Sequence, residues 1–163
     1  MIDARFSPES DGERLGDHEL AAWRGMLKVH ALMTQALDAE MRTAHGLSVS
    51  AYEVLMFLAD APDRRLRMSE IAERVLLSRS GLTRLVDRLC QRQLLSRSAA
   101  ESDGRGLYAQ LTPKGEATLR AARHTHLRGV RQHFLQPLTA TDMIVLGDIW
   151  TRFDANPTDQ DRC

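Results

Sequence analysis

Side chains that donate hydrogen bonds are concentrated in one short run, Ser78-Arg79-Ser80-Gly81-Leu82-Thr83-Arg84. Hydroxyl and guanidinium groups bind phosphate oxygens and the edges of bases. The whole chain has 22 Lys and Arg and 22 Asp and Glu, and therefore no net charge. From Arg64 to Arg105, however, ten Arg and no Lys stand against five acidic residues. This local excess of positive charge favours a nucleic acid as the partner, with a solvated surface as the alternative.

A helix is needed to present these donors, and the sequence predicts one from residue 79 to about 93. Its inward side consists of apolar residues at helical spacing: Leu82, Leu85, Val86 and Leu89. Ser78 is placed to cap its N-terminus, and Arg88 extends its polar side by one turn. A short helix over 69–75, capped by Ser69, precedes it after a three-residue break. Two helices joined by so short a turn form a helix-turn-helix.

A β-hairpin is predicted directly after the second of these helices, at the position of a wing. Asp103-Gly104 is a strong hairpin-turn pair. Leu107, Ala109 and Leu111 alternate with polar positions, as in a strand with one buried side. Residues 66–68 are expected to form a very short strand.

Longer helices are predicted on both sides of the helix-turn-helix. Their expected extents are 17–45, from 48–50 to Pro62, 114–135, and from Thr139 or Thr141 to 153. Gly46 ends the first of them, and Ser48, or Ser50 together with Glu53, caps the second. Pro113 stands at the first position of the long helix, which Pro137 interrupts.

The chain resembles the MarR family of bacterial winged-helix regulators over residues 17–153. The family's D-x-R…LT-x-x-G spacing is carried by Asp103, Arg105, Leu111, Thr112 and Gly115. The segments LSVSAYEVL, MSEIAERV and SRSGLTRLVDRL match the family in the same order. The sequence departs from the common pattern at Leu76, where many members have Gly, and at Cys90, where many have a polar residue.

This resemblance implies a mainly α fold with a winged helix-turn-helix, a small β-hairpin wing and a helical dimerisation region built from the N- and C-terminal helices. The expected segments are a flexible arm 1–16, a dimerisation helix 17–47, a DNA-binding lobe 48–112, C-terminal dimerisation helices 113–153 and a flexible tail 154–163.

A homodimer is implied by the family. The terminal helices also carry more apolar surface than one small winged helix can cover. The residues expected at the dimer interface are Leu20, Leu27, Leu138, Ile144, Ile149, Trp150 and Phe153. A two-fold dimer places two recognition helices in successive major grooves about 34 Å apart, which calls for a pseudo-palindromic site in double-stranded DNA.

The residues expected to bind DNA are Ser78, Arg79, Ser80, Thr83, Arg84, Arg88, Asp103 and Arg105. Ser78 is expected mainly as the cap, and Arg84 to contact either a phosphate or a guanine. Arg105 would enter a narrow minor groove, with the Asp103 carboxylate orienting its guanidinium. Surface residues and a hairpin ion pair without a role in DNA binding are the alternatives.

Many relatives release DNA when a small phenolic or anionic molecule enters a crevice between the two lobes. Here the candidate pocket residues are Trp23, His30, Met33, Tyr52, Met56 and His126. Aromatic and Met residues at helical spacing are also typical of an ordinary core, which is the alternative for this set.

Other kinds of function receive less support from the sequence. A winged helix that binds only proteins and a redox-sensing regulator acting through Cys90 are the alternatives. No phosphate-binding glycine loop or nucleophile elbow indicates an enzyme, and no cofactor is expected. The His spacings predict no metal. No apolar run approaches the ~18 residues of a membrane helix, so a cytoplasmic protein without a membrane partner is expected.

Overall fold

The computed structural model describes residues 14–75, 77–99 and 107–154. Its helices and strands, in chain order, are α1 Asp17–His45, α2 Val49–Asp60, β1 Arg65–Arg67, α3 Met68–Arg74, α4 Arg79–Gln91, β2 Leu95–Ala99, β3 Leu107–Leu111, α5 Pro113–Val130 and α6 Ala140–Asp154. A 3-10 turn precedes β1, and α5 continues through a π-helical turn at Arg131–Leu135. The fold is therefore mainly helical with one small sheet, as the sequence predicted.

The starts of two helices are set by hydroxyl caps, and Pro113 stands at the first position of α5 as predicted. Ser48 Oγ accepts the backbone N–H of Ala51 at 3.1 Å, and Thr112 Oγ1 accepts that of Gly115 at 2.9 Å. Each cap satisfies one of the backbone donors that the first turn of a helix leaves without an intrahelical partner. The predictions for the beginnings of α2 and α5 are confirmed.

The C-terminal end of α1 and the start of α6 also lie where the sequence predicted them. Gly46 adopts φ 62°, in the left-handed region that favours glycine, and its N–H donates to Arg42 O at 2.9 Å. Thr139 is the cap of α6, since its Oγ1 accepts the Asp142 N–H at 3.2 Å while the Asp142 carboxylate accepts the Thr139 N–H at 2.9 Å. Of the two predicted candidates, Thr139 is therefore correct.

The cap of α3 was predicted wrongly. The Glu70 carboxylate accepts the backbone N–H of Arg67 at 2.6 Å, so the helix begins at Met68 rather than after Ser69. Ser69 lies exposed in the first turn. A Glu three residues after the cap position can satisfy a free N–H as a hydroxyl does, and here the Glu decides where the helix begins.

The three strands form one antiparallel sheet in the order β1-β3-β2. Ala109 of β3 pairs with Leu66 of β1 and with Arg97 of β2. Leu66 and Ala109 are buried on the side of the sheet that packs on the helices. Leu107 is 51 % exposed, contrary to the prediction, because it pairs with Ala99 at the end of the hairpin opposite to the buried pair of Leu95 and Leu111.

The hydrophobic core lies inside the winged helix-turn-helix. Its largest fully buried side chains are Met41, Leu47, Val54, Leu55, Leu58, Ile71, Leu82, Val86, Leu89 and Leu94. They come from the C-terminal end of α1 and the turn that follows it, from α2, α3 and α4, and from the chain just before β2. Ala122 of α5 belongs to the same buried cluster, so the middle turns of α5 pack against the lobe.

The N-terminal part of α1 and the whole of α6 stand outside this core. Within α1 only Leu37 and Met41 are buried, and both lie in its C-terminal half. Large apolar side chains of the two helices are exposed in the single chain: Trp23, Met26, Leu27, Val29, Leu32, Met143, Ile144, Val145, Trp150 and Phe153. Among the described residues, no helix is long and apolar enough to cross a bilayer.

Candidate nucleic-acid interface

The recognition helix is α4, and its two sides have opposite character. Ser78 Oγ accepts the backbone N–H of Gly81 at 3.2 Å, so the predicted cap is present. The four predicted inward residues, Leu82, Leu85, Val86 and Leu89, are all buried. The hydroxyl and guanidinium residues of the same helix, Ser80, Thr83, Arg79, Arg84 and Arg88, are all exposed. One side of α4 therefore presents donors while the other holds it in the core.

The arginines on α4 are available for a ligand. The guanidinium groups of Arg79, Arg84 and Arg88 form no hydrogen bond or ion pair with another described residue. Thr83 Oγ1 donates to the Arg79 carbonyl at 3.0 Å, and its lone pairs can still accept. Ser80 Oγ lies 3.3 Å from Ser78 Oγ. With no acid pairing these arginines, the positive end of the helix dipole adds to an uncompensated positive surface.

A groove of about 330 Å³ separates α3 from α4 on the same side of the lobe. Its lining includes Ser69 from α3 together with Arg79 and Thr83 from α4. Sequence reasoning missed Ser69 as a surface hydroxyl because it was assigned as a cap. The groove shows that α3 also contributes a hydroxyl group to the surface beside the recognition helix.

An ion pair ties the hairpin to the recognition helix. Arg97 Nη1 of β2 donates to Asp87 Oδ1 of α4 at 2.6 Å, and Arg97 Nη2 reaches the Thr83 carbonyl at 3.4 Å. Strands β2 and β3, which form the predicted wing, therefore have a fixed position relative to α4. The predicted wing residues Asp103 and Arg105, and also Leu76, lie outside the described residues.

Half of the arginines in the segment 64–105 already have partners among the described residues. Arg64 pairs with Glu116, Arg97 pairs with Asp87, Arg92 binds the carbonyls of His45 and Gly46, and Arg65 and Arg67 contact Tyr108. Five of the ten arginine side chains are therefore engaged within the protein, whereas those of Arg79, Arg84 and Arg88 on α4 have no partner among the described residues.

Tyr108 and two arginines form a cluster that sequence reasoning did not single out. The Arg65 guanidinium lies 4.0 Å from the centre of the Tyr108 ring, and Arg67 Nε donates to the Tyr108 hydroxyl at 3.0 Å. The hydrogen bonds and positive charges of the two arginines lower the pKa of Tyr108. Only the alternation of the Arg65–Arg67 strand, with Leu66 inward, indicates this placement in the sequence.

The candidate pocket residues are only partly brought together. Tyr52, 4 % exposed, stacks on His126 with ring centroids 4.4 Å apart and an interplanar angle of 20°. Burial lowers the pKa of His126 and raises that of Tyr52. Met56 packs against the core, and Met33 is half-buried, whereas Trp23 and His30 are exposed on α1. Of the candidate pocket residues, Tyr52 of α2 and His126 of α5 are therefore in direct contact.

His126 is unusual in this pair because its Nδ1 atom is buried without a hydrogen-bond partner among the described residues. A buried polar atom without a partner costs free energy. It is therefore the atom of this site with most to gain from a polar ligand.

Cys90 has the properties of a structural thiol. It is half-buried, and burial raises the pKa of the thiol, which disfavours the reactive thiolate. Across the described ranges, no group of three or more His, Cys, Asp or Glu side chains could hold a metal ion.

Comparison with known proteins places the chain among bacterial regulators. Residues 45–106 match the model of the MarR family. The structure of Sco3205 from Streptomyces coelicolor, a MarR family transcriptional regulator determined in complex with DNA, is 32% identical with a TM-score of 0.82, and the match covers 90% of this chain and 97% of that one. AbsC from the same organism, also a MarR family transcriptional regulator, is 34% identical with a TM-score of 0.79 over 88% and 96% of the two chains.

Among characterised bacterial regulators, the repressor YetL of Bacillus subtilis is 30% identical over 110 residues, which are 66% of each protein. The regulator MhqR of the same species is 38% identical over 71 residues, 44% of this chain and 48% of that protein. The chain thus spans about half to two thirds of the length of these two relatives.

Proposed function

Because the chain belongs to the MarR family of transcriptional regulators, we propose that it binds a pseudo-palindromic operator in double-stranded DNA as a homodimer, represses transcription there and is released by a small molecule. The family and fold predicted from the sequence are confirmed, and the relatives are transcriptional regulators rather than enzymes. The observation that carries the DNA-binding part is the row of exposed arginines on the capped helix α4, which have no partner among the described residues.

In this proposal α4 lies in the major groove. Ser80 and Thr83 bind phosphates near its N-terminus, and Arg84 binds a guanine or a phosphate. Arg79 and Arg88 neutralise the backbone on either side, and Ser78 keeps its role as the cap. In the wing, Arg105 enters the minor groove and Asp103 orients it. Sco3205, which is similar over nearly its whole length, was determined in complex with DNA.

The homodimer is supported by apolar surface that the single chain leaves uncovered. On α1, Trp23 and Leu27 are exposed, although they continue the stripe that is buried further along at Leu37 and Met41. On α6, Trp150 and Phe153 are exposed, with ring centroids 6.0 Å apart. Two helices with exposed apolar stripes fit a second copy of the same chain, related by a two-fold axis.

The predicted interface residues of α6 do not all share one side. Ile149, Trp150 and Phe153 lie together at helical spacing, whereas Ile144 is nine residues from Phe153, or two and a half turns. Ile144 therefore points away from the side that carries the two aromatic rings. The aromatic side is the one we propose for the dimer contact.

Replacing Arg84 or Arg105 by Ala should weaken specific DNA binding by about 1–3 kcal/mol each. Each change removes a guanidinium from a base or a phosphate, so the dependence of affinity on salt also becomes shallower if the lost contact is to a phosphate. The measurement is fluorescence anisotropy on DNA from upstream of the protein's own gene over a salt series. Arg128→Ala, which removes an exposed arginine of α5, is the matched control and should bind as the wild type does.

Two results would contradict DNA binding through α4 and the wing. The first is that both variants bind with the affinity of the wild type to DNA selected from random sequences. The second is a wild-type protein without salt-dependent binding to any such DNA, which would favour a winged helix that binds only proteins.

Repression, rather than activation, is supported by YetL, which is a transcriptional repressor. A reporter gene read from the bound operator tests this point. Expression that rises when the regulator is deleted supports repression, whereas expression that falls identifies an activator.

The effector site that we propose is the junction of α2 and α5 at Tyr52 and His126. A ligand that inserts beside these stacked rings would separate the two helices and change the distance between the recognition helices. Its effect is limited to the difference in its affinity for the two arrangements. The unpaired Nδ1 of His126 favours a ligand that brings a hydroxyl or a carboxyl group.

Benzoate and phenol are suitable probes because each combines one aromatic ring with one polar group. At saturation, at least one of them should weaken operator binding by about 1–3 kcal/mol in an anisotropy titration. His126→Gln should reduce that response while leaving operator affinity without the probe unchanged. An operator affinity that neither probe alters would exclude this class of effector.

A further inference from the structure

Arg92 is the C-cap residue of α4, and its side chain binds the C-terminal end of α1. Its Nη1 donates to the Gly46 carbonyl at 2.6 Å, and its Nη2 donates to the His45 carbonyl at 3.3 Å. These carbonyls lie at the C-terminus of α1, where the last carbonyls lack intrahelical partners. The negative end of the helix dipole lies at the same place. A guanidinium is well suited to bridge two neighbouring acceptors of this kind.

The same end of α1 is also attached to α2. Asp38 Oδ1 accepts the backbone N–H of Val49 at 3.0 Å, and Met41 and Leu47 are fully buried. The C-terminal end of α1 is therefore held in the DNA-binding lobe on two sides. Arg92 links this end by hydrogen bonds to the C-terminal end of the recognition helix.

The opposite end of α1 carries the exposed apolar residues of the proposed dimer contact. With 29 residues at about 1.5 Å each, α1 is about 43 Å long. A rotation of about 5° at its attached end would move the other end by about 4 Å. This is similar to the rise of one base pair, about 3.4 Å. A small change in the angle between α1 and α4 at Arg92 would therefore shift the recognition helices by about one base pair.

We propose that Arg92 is a positioning residue that fixes the angle between the dimerisation helix α1 and the recognition helix α4, and with it the half-site spacing that the dimer accepts. The inference rests on the proposed function as an operator-binding dimer. Arg92 itself does not bind DNA, because its guanidinium is engaged at the C-terminal end of α4, away from the donors of the first turns.

The test uses the full chain and a set of operators whose half-sites differ in separation by one or two base pairs. Each added base pair moves a half-site by about 3.4 Å along the duplex and rotates it by about 35°. The wild type should prefer one spacing by about tenfold or more. Arg92→Gln should bind that spacing about tenfold more weakly and should lose most of the preference, because it removes two charge-assisted hydrogen bonds.

Two further variants separate positioning from charge. Arg92→Lys retains one charged donor and should restore part of the spacing preference. Arg128→Gln removes an exposed arginine of α5 and should keep the wild-type profile. In a salt series the slope for Arg92→Gln should equal that of the wild type, because a positioning residue releases no counterion from DNA.

Several results would overturn the inference. An unchanged spacing profile in Arg92→Gln would do so, and so would an affinity loss equal at all spacings with a salt slope smaller by about one, which marks a phosphate contact. If Arg92→Gln is unfolded by circular dichroism, the same comparison is made with Arg92→Lys. A wild type that binds all DNA alike at all spacings contradicts the proposed function itself.

Discussion

Trp150→Glu is expected to convert the homodimer into monomers and to remove about a thousandfold of the affinity for the operator. Trp150 is 44 % exposed in the single chain, and its ring lies 6.0 Å from that of Phe153, which is 69 % exposed. In the proposed dimer both rings are covered by the partner. A carboxylate placed there would be buried without a counter-charge, at a cost of several kcal/mol. Specific binding exceeds non-specific binding by at least about a thousandfold, and half of a palindrome recovers little of that difference.

Analytical ultracentrifugation over a range of concentrations measures the first effect, and anisotropy on the operator measures the second. Thr151→Glu is the matched control because it adds the same charge one residue further along α6, on the side away from the aromatic rings. The control should stay dimeric. No α6 residue belongs to the buried core among the described residues, so the monomeric variant should keep its circular dichroism spectrum. A Trp150→Glu dimer with wild-type affinity would place the interface elsewhere.

The recognition helix could be predicted in detail because its determinants are local. The spacing of Leu82, Leu85, Val86 and Leu89 defines the buried side within two turns. Ser78 marks the start, three residues before the N–H that it accepts. The exposed donors then follow from the same periodicity, since whatever does not fall on the buried side must face outward.

Ser69 and Leu107 show where local patterns are insufficient. At Ser69 two local caps compete, and the choice of the Glu70 carboxylate over the Ser69 hydroxyl depends on the backbone as it leaves β1. At Leu107 the alternation is correct, but burial depends on the position along the hairpin, because Leu111 is buried beside Leu95 whereas Leu107 pairs with Ala99 at the other end. Which end of the hairpin packs on the helices is set by tertiary packing and not by the local alternation.

The individual roles of the arginines could not be read from the sequence. Arg84 and Arg92 stand two turns apart on one helix and look equivalent in a count of charges. Arg84 is exposed and free of partners among the described residues, whereas Arg92 binds carbonyls 46 and 47 residues away. The contact between Tyr52 and His126 joins residues 74 positions apart in the same way. Such partners follow only from the way the helices are assembled.

Gly115→Ala is expected to destabilise the fold strongly. Gly115 lies where α5 packs against the base of the wing, and there is no room for a side chain there. A Cβ at Gly115 would lie 2.1 Å from the carbonyl oxygen of Leu94 and 2.8 Å from Leu111 Cδ1. The Leu94 carbonyl also accepts the Thr112 N–H at 3.2 Å, so it cannot move without loosening the start of α5. Forcing a methyl group into such a site costs about 1–3 kcal/mol or more. For a chain of this size the thermal midpoint should fall by about 3–10 °C.

Gly25→Ala provides the matched control for that measurement. A Cβ at Gly25 meets no atom within 4 Å, and an exposed position inside α1 favours Ala over Gly by up to about 1 kcal/mol. Thermal and urea denaturation followed by circular dichroism should therefore show Gly25→Ala equal to or above the wild type and Gly115→Ala well below it. Because Gly115 holds the base of the wing against the end of α4, its variant should also lose operator affinity at temperatures where it is still folded. Equal midpoints for the two variants would mean that the backbone at Leu94 yields freely, and the wing would then not be held at this joint.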